Sequence, residues 1–112
     1  MNFRVNTIEV FERQAKRLIK KYPSLKGELG VLINELKIHP EEKGISIGNS
    51  CYKIRLGIAS KNKGKSGGAR VIINIVVEIK EVYLISIYDK SEKQTITERE
   101  IIELLKYLPG SA

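Results

Sequence analysis

The stretch from Tyr52 to Lys80, YKIRLGIASKNKGKSGGARVIINIVVEIK, holds two runs in strand rhythm separated by a loop rich in lysine, glycine and serine. In the first run Tyr52, Ile54, Leu56 and Ile58 alternate with Lys53, Arg55, Gly57 and Ala59, the period-two pattern of a half-buried strand. The second run, a predicted strand from Ala69 to Ile79, has Val71, Ile73, Ile75, Val77 and Ile79 on one side. That side is wholly apolar and is expected to face the core, with Arg70, Ile72, Asn74, Val76 and Glu78 opposite. A third run follows a turn near Lys80-Glu81, with Tyr83, Ile85 and Ile87 expected inside and Leu84, Ser86, Tyr88 and Lys90 outside. Short turns between such runs predict an antiparallel meander. Alternation thus gathers Lys53, Arg55, Arg70, Ser86, Tyr88 and Lys90 on one open face.

Upstream the period changes from two to helical. Phe3 and Val5 suggest a short opening strand, and Thr7 suits a helix cap. Ile8, Phe11, Ala15, Leu18, Ile19 and Tyr22 then recur at helical spacing, as do Leu25, Leu29, Leu32, Ile33 and Leu36. Pro23 separates the two stripes and Pro40 ends the second. Two amphipathic helices so closely joined predict an antiparallel hairpin whose apolar seam covers the sheet. Downstream, Thr97-Glu98-Arg99-Glu100 is a capping-box pattern opening a last helix, with Ile101, Leu104, Leu105 and Leu108 as its stripe. The expected architecture is a single α+β domain over 1–112, in the order β-α-α-β-β-β-α. It comprises a strand at 1–6, a helical hairpin at 7–39, an antiparallel sheet at 45–90 and a C-terminal helix at 97–108.

The 112 residues carry a formal net charge of +7. Between Ile45 and Lys80 stand seven basic residues and one acid, Glu78, so this segment holds nearly all of the excess. Charge confined to one segment points to a polyanionic partner, nucleic acid above all, since solubility charge would be spread out. The longest apolar run, Val71 to Val77, is too short to span a bilayer, and the opening residues lack the pattern of a secretory signal. One cysteine, Cys51, and one histidine, His39, supply neither a disulfide nor a metal-ligand set. A cytoplasmic protein with no metal or cofactor is expected.

Gly64-Lys65-Ser66 resembles the end of a phosphate-binding P-loop, but Ala59 stands where that pattern needs glycine and a strand follows where it needs a helix. A nucleotide cofactor is therefore not expected. Lys61, Lys63 and Lys65 read instead as a mobile grip on a phosphate backbone. Arg13, Lys16, Arg17, Lys20 and Lys21 on the first helix read as solvated surface or as a second nucleic-acid contact. Lys53, Arg55 and Arg70 are harder to read as surface. Three cations projecting together repel unless an anion lies between them, and the guanidinium fork suits phosphate.

Three motifs together carry a family resemblance: "YKIRL" at Tyr52–Leu56, "KGKSGGARVI" at Lys63–Ile72 and "IYDKSEK" at Ile87–Lys93. They resemble the RelE/HigB-like toxins of type II toxin–antitoxin modules, and the element order resembles the RelE/ParE fold over nearly the whole chain. The resemblance implies a toxin that enters the ribosome, cuts messenger RNA there, and is held inactive by a cognate DNA-binding antitoxin. It also implies cleavage by attack of the 2′-hydroxyl on the adjacent phosphate, with Lys53, Arg55, Arg70 and Lys90 as catalytic residues. Arg70 would contact the scissile phosphate. Lys53, beside two arginines, is the candidate general base, since neighbouring cations favour a neutral amine. Tyr88 would stack on a base or donate a proton. Ile96 stands where some RelE-type enzymes have a tyrosine. The resemblance also leaves a ParE-like gyrase inhibitor without catalysis, or a degenerate toxin that mainly binds its antitoxin, as alternatives.

Overall fold

The computed structural model describes residues 2–62, 64 and 66–110. The helical stripes form as their spacing predicts. Helix α1 (Glu9–Lys21) buries Phe11, Ala15 and Leu18, and α2 (Leu25–Leu36) buries Leu25, Leu29, Leu32 and Leu36. Between them Tyr22 is extended, the conformation that a following proline enforces. The cap of α1 differs from expectation. Thr7 ends the first strand and Ile8 takes the cap position, while the Thr7 hydroxyl donates to the Glu12 carboxylate.

The sheet has five strands: β1 (Arg4–Thr7), β2 (Ile45–Gly48), β3 (Cys51–Leu56), β4 (Ala69–Val76) and β5 (Glu81–Asp89), in the order β1-β5-β4-β3-β2. The expected meander is present, and every neighbouring pair but one is antiparallel. The exception is β1, which runs parallel to β5, with Val5 beside Val82 and Thr7 beside Leu84. The helical hairpin supplies the long crossover that a parallel pairing needs. The brief alternation of Ile45 and Ile47 is itself a strand, so four strands follow the hairpin where three were expected. Asn49 and Ser50 both have positive φ, the backbone of a tight two-residue hairpin turn between β2 and β3.

Two expectations about strand faces are overturned. First, β4 ends at Val76 and the chain makes a 3-10 turn over Val77–Ile79, leaving Val77 and Ile79 exposed instead of in the core. Second, the β4–β5 register shifts. Ile72 pairs with Ser86 but Ile73 pairs with Leu84, so Ile85 is an extra residue on β5. A bulge of this kind reverses which residues face which side. Beyond it, Ser86 and Tyr88 share the face of Arg70, as alternation predicts. Before it, Leu84 joins Ile73 on the hairpin face and Tyr83 joins Asn74 on the other.

On the hairpin face Ile54, Val71, Ile73, Val82, Leu84 and Ile87 meet Phe11, Leu18, Leu25 and Leu32 in one core cluster. The other face is not open. Helix α3 (Glu98–Leu105) lies against β5, with Ile101 buried in the same cluster. Its capping box has both halves: the Glu100 amide donates to Thr97 Oγ1 at 3.2 Å, and the Thr97 amide to Glu100 Oε1 at 2.9 Å.

Gly68 stands immediately before β4 with its α-carbon pressed on the end of β3. A β-carbon there would lie 2.2 Å from the Leu56 carbonyl oxygen. Gly68→Ala is expected to destabilise the protein by about 1–3 kcal/mol, the usual cost of overpacking, measured by urea unfolding.

Candidate active site

Cross-strand register, more than side-chain character, builds the site. Arg55 on β3 pairs with Arg70 on β4, which pairs with Tyr88 on β5. The adjoining row is Lys53, Ile72 and Ser86. Paired residues share a face, so Lys53, Arg55, Arg70 and Tyr88 lie together on the side away from the helical hairpin. Their environments differ. Arg55 is exposed and Lys53 partly so, whereas Arg70, Ser86 and Tyr88 are buried, against the expectation of one open face.

The outer part is a shallow groove of about 310 Å³ lined by Glu42, Lys43, Gly44, Ile45, Lys53 and Arg55. Lys43 is 3.1 Å from Glu35. Among the described residues no ion pair or hydrogen bond engages the Lys53 ammonium or the Arg55 guanidinium. A β-carbon at Gly44 would lie 2.6 Å from the Lys53 carbonyl oxygen, so glycine lets the chain pass close under the groove.

Arg70 forms the inner part, and its guanidinium is held by backbone. Nη1 donates to the Ala69 carbonyl and Nη2 to the Ser66 carbonyl, each at 3.2 Å. Tyr88 lies beside it. Burial pushes the Tyr88 phenol pKa up, while the Arg70 charge and the nearby Ile96 backbone pull it partly back. The phenol is therefore neutral at physiological pH and able to donate a proton. Its hydroxyl is the one buried side-chain polar atom, among the described residues, without a hydrogen bond of ordinary geometry. Such an atom is uncommon in a folded interior.

The Lys93 ammonium lies 5.7 Å from the Tyr88 ring centre and pairs with Glu100 on α3. Lys90, the fourth expected catalytic residue, donates to the Gln94 carbonyl at 2.8 Å. Gln14 of α1 reaches past the end of β1, and its Oε1 accepts from the Ile87 amide at 3.0 Å and from Ser86 Oγ at 3.2 Å.

Of the three lysines expected to grip substrate, Lys63 and Lys65 lie outside the described residues. Lys61 is placed differently from expectation. It sits on a 3-10 turn (Ala59–Lys61), and its ammonium pairs with Asp89, which has no solvent exposure. The same ammonium donates to the Gly67 carbonyl at 3.1 Å and is 3.0 Å from Ser91 Oγ. Burial acts to raise the Asp89 pKa. Hydrogen bonds from Lys61, from the Ser91 hydroxyl and amide, and from Tyr22 outweigh it and hold the carboxyl well below the usual carboxylate range. The Lys61 ammonium thus neutralises a buried carboxylate instead of projecting into the groove of Lys53 and Arg55. Asp89, Tyr22, Gln14 and Lys93 escaped the reading of the sequence. The signal for Asp89 was present, as an acid at the end of an apolar strand.

Among the described residues no cluster of histidine, cysteine, aspartate or glutamate is placed to hold a metal ion. No helix among them is long and apolar enough to cross a membrane. Cys51 is buried with its thiol pKa pushed up by desolvation, a poor setting for a nucleophile.

No known family model matches the sequence. Solved structures do match. A double arginine-to-alanine variant of the E. coli toxin RelE in the free state aligns over 95% of this chain and 97% of its own, at 21% identity and a TM-score of 0.59. The isolated E. coli RelE toxin aligns over 96% of this chain and 100% of its own, at 20% identity and a TM-score of 0.52. The chain has the RelE fold. It is an α+β architecture with a mixed five-stranded sheet, and in this chain the conserved geometry is that of the backbone, with roughly one residue in five shared.

Acid should expose the Asp89 contribution. A depressed carboxylate adds stability that is complete above its unfolded pKa, about 3.9, and is lost as pH falls through the lower folded value. The stability gap between the wild-type protein and Asp89→Asn is therefore expected to be largest near pH 7 and to shrink below about pH 4 in pH-dependent denaturation. Lys61→Met, which leaves the acid buried and unpaired, is expected to cost about 3–5 kcal/mol at pH 7.

Proposed function

We propose that this chain is the toxin of a type II toxin–antitoxin module, an endoribonuclease that cuts messenger RNA on the ribosome. The observation that carries this reading is the row Arg55–Arg70–Tyr88 beside Lys53, on the sheet of a RelE-type fold. A phosphoryl transfer with no metal needs cations for the phosphate and groups to move two protons, and this row supplies both kinds. Its regulator is a cognate antitoxin that also binds DNA, and its setting is the cytoplasm.

In the proposed reaction the 2′-hydroxyl loses its proton to Lys53 as general base. The 2′-oxygen attacks the adjacent phosphorus, and Arg70 and Arg55 neutralise the extra charge of the pentacoordinate intermediate. The bond to the 5′-oxygen then breaks, and that oxygen takes a proton from Tyr88. The products are a 2′,3′-cyclic phosphate and a free 5′-hydroxyl. Lys90 lies just beyond the end of β5 and adds charge for the flanking phosphate. RNA must reach Tyr88 from under the 93–97 segment, so binding entails a shift of that segment.

Induction without antitoxin is expected to produce cuts in messenger RNA aligned with codons, mapped as new 5′ ends. Arg70→Ala is expected to reduce cutting by about 10²–10³-fold, the usual cost of one transition-state donor. DNA damage with intact messages, or unimpaired growth at high expression, would overturn the reading. Two variants separate roles within the site. Lys53→Arg keeps the charge but cannot accept a proton, and is expected to retain RNA binding while losing turnover. Tyr88→Phe keeps the buried ring and removes only the hydroxyl, so its thermal midpoint is expected to change little, while cleavage falls by about 10²-fold.

A further inference from the structure

Three consecutive carbonyls before β4 accept from three different donors. The Ser66 oxygen accepts from the Arg70 guanidinium at 3.2 Å, the Gly67 oxygen from the Lys61 ammonium at 3.1 Å, and the Gly68 oxygen from the Lys90 amide at 3.0 Å. The 66–68 segment is thus a strip of acceptors pinned at each residue, and one of its pins is the candidate catalytic arginine. Glycine at 68 lets the strip lie against the Leu56 carbonyl, which fixes its height over β3.

Lys61 is in turn held by Asp89. Its carboxylate accepts from Tyr22 of the α1–α2 connection at 2.9 Å, and from the Ser91 amide and hydroxyl at 2.9 and 2.7 Å. Asp89 has no solvent exposure, and the Lys61 side chain is only 11% exposed. Tyr22 also presents its ring to the Lys61 ammonium, 5.6 Å from the ring centre. A buried carboxylate with its donors matched has one low-energy arrangement, so the position of Lys61 is closely defined.

The geometry points to Asp89 and Lys61 as positioning residues that set the orientation of the Arg70 guanidinium through the 66–68 segment. Asp89 fixes Lys61, Lys61 fixes the Gly67 carbonyl, and the adjoining peptide places the Ser66 carbonyl against Arg70 Nη2. A guanidinium recognises phosphate through a planar fork, so a rotation or a displacement of about 1 Å removes much of its effect on turnover. Lys61 and Asp89 act on chemistry without touching RNA. The catalytic consequence rests on the endoribonuclease reading, while the mechanical coupling to Arg70 does not.

The test uses the full-length protein, 15N-labelled, with the Arg70 Nε–Hε resonance assigned by comparison with Arg70→Lys. Lys61→Met alone strands a buried charge, so the informative variant is Lys61→Met/Asp89→Asn, which removes both charges at nearly constant volume. Its folded fraction is set by circular dichroism. The Arg70 resonance is expected to move and broaden in the double variant, and Lys61→Arg to restore most of the wild-type position. Turnover of a ribosome-bound message is expected to fall ~10-fold or more with KM changed by less than ~3-fold, because other cations carry binding. Ser91→Ala, at an exposed residue bonded to Asp89, is expected to give a smaller movement in the same direction and serves if the double variant does not fold. An Arg70 resonance unmoved in a folded variant overturns the coupling, whether or not the wild-type protein cuts RNA. A moved resonance with unchanged turnover per folded molecule overturns the positioning role. Absence of RNA cleavage by the wild-type protein counts against the endoribonuclease reading alone, and the resonance then decides the coupling.

Discussion

A carboxylate without solvent exposure at the end of a sheet strand must find its donors inside the protein, and the surrounding structure is organised by that requirement. Burying such a charge costs several kcal/mol, which only close pairing and full hydrogen bonding offset. Asp89 draws donors from separate parts of the chain: Tyr22 from the connection between the first two helices, Lys61 from the turn after β3, and Ser91 from its own loop. These segments close one end of the sheet. Outside them a second layer forms, in which Glu92 accepts from Arg17 at 2.7 Å and lies 3.4 Å from Lys21. That outer layer is exposed to solvent and contributes little by itself. Its partners nevertheless hold α1 beside the loop that carries Ser91.

The basic segment that dominates the composition is divided by this ion pair. Lys61 neutralises a buried acid and belongs to the fold. Arg70 is bound by carbonyls and belongs to the edge between fold and site. Lys53 and Arg55 reach a groove with no acid paired to them among the described residues. Net charge sums these three situations and cannot separate them. One acid, Asp89, lies just beyond the segment in sequence yet decides the role of a lysine 28 residues before it.

Most of the fold was legible from periodicity because its elements are strongly patterned. Leu25, Leu29, Leu32 and Leu36 sit at the spacing of a helix with one buried face, and the two halves of the Thr97–Glu100 capping box assemble as written. The face of Lys53, Arg55 and Arg70 was legible because β3 and β4 pair without interruption from Cys51 to Leu56. What failed did so for local reasons. Alternation assumes a regular strand, and the extra residue at Ile85 breaks it, so Tyr83 and Leu84 exchange sides. An apolar run does not show where it stops being a strand, so Val77 and Ile79 were assigned to a core that the chain leaves at Val76. Parallel pairing of β1 leaves no mark on its four residues, because the partner's direction is set by the crossover. The packing of α3 against β5 was invisible for a different reason: the two meet only in three dimensions, with Ile101 entering the core.

The bulge also bears on the site. With regular alternation throughout, β5 could not present Leu84 to the hairpin core and Tyr88 beside Arg70 at the same time. Leu84 and Tyr88 are four residues apart and would share a face. The inserted residue at Ile85 reverses the phase between them, so Leu84 before it faces the hairpin core, while Ser86 and Tyr88 beyond it lie on the face of Arg70 and Ile87 stays in the core. Gln14 then satisfies the Ile87 amide at the strand edge that β1 does not reach. The bulge thus lets Leu84 and Tyr88, four residues apart on one strand, face opposite sides of the sheet, which regular alternation forbids.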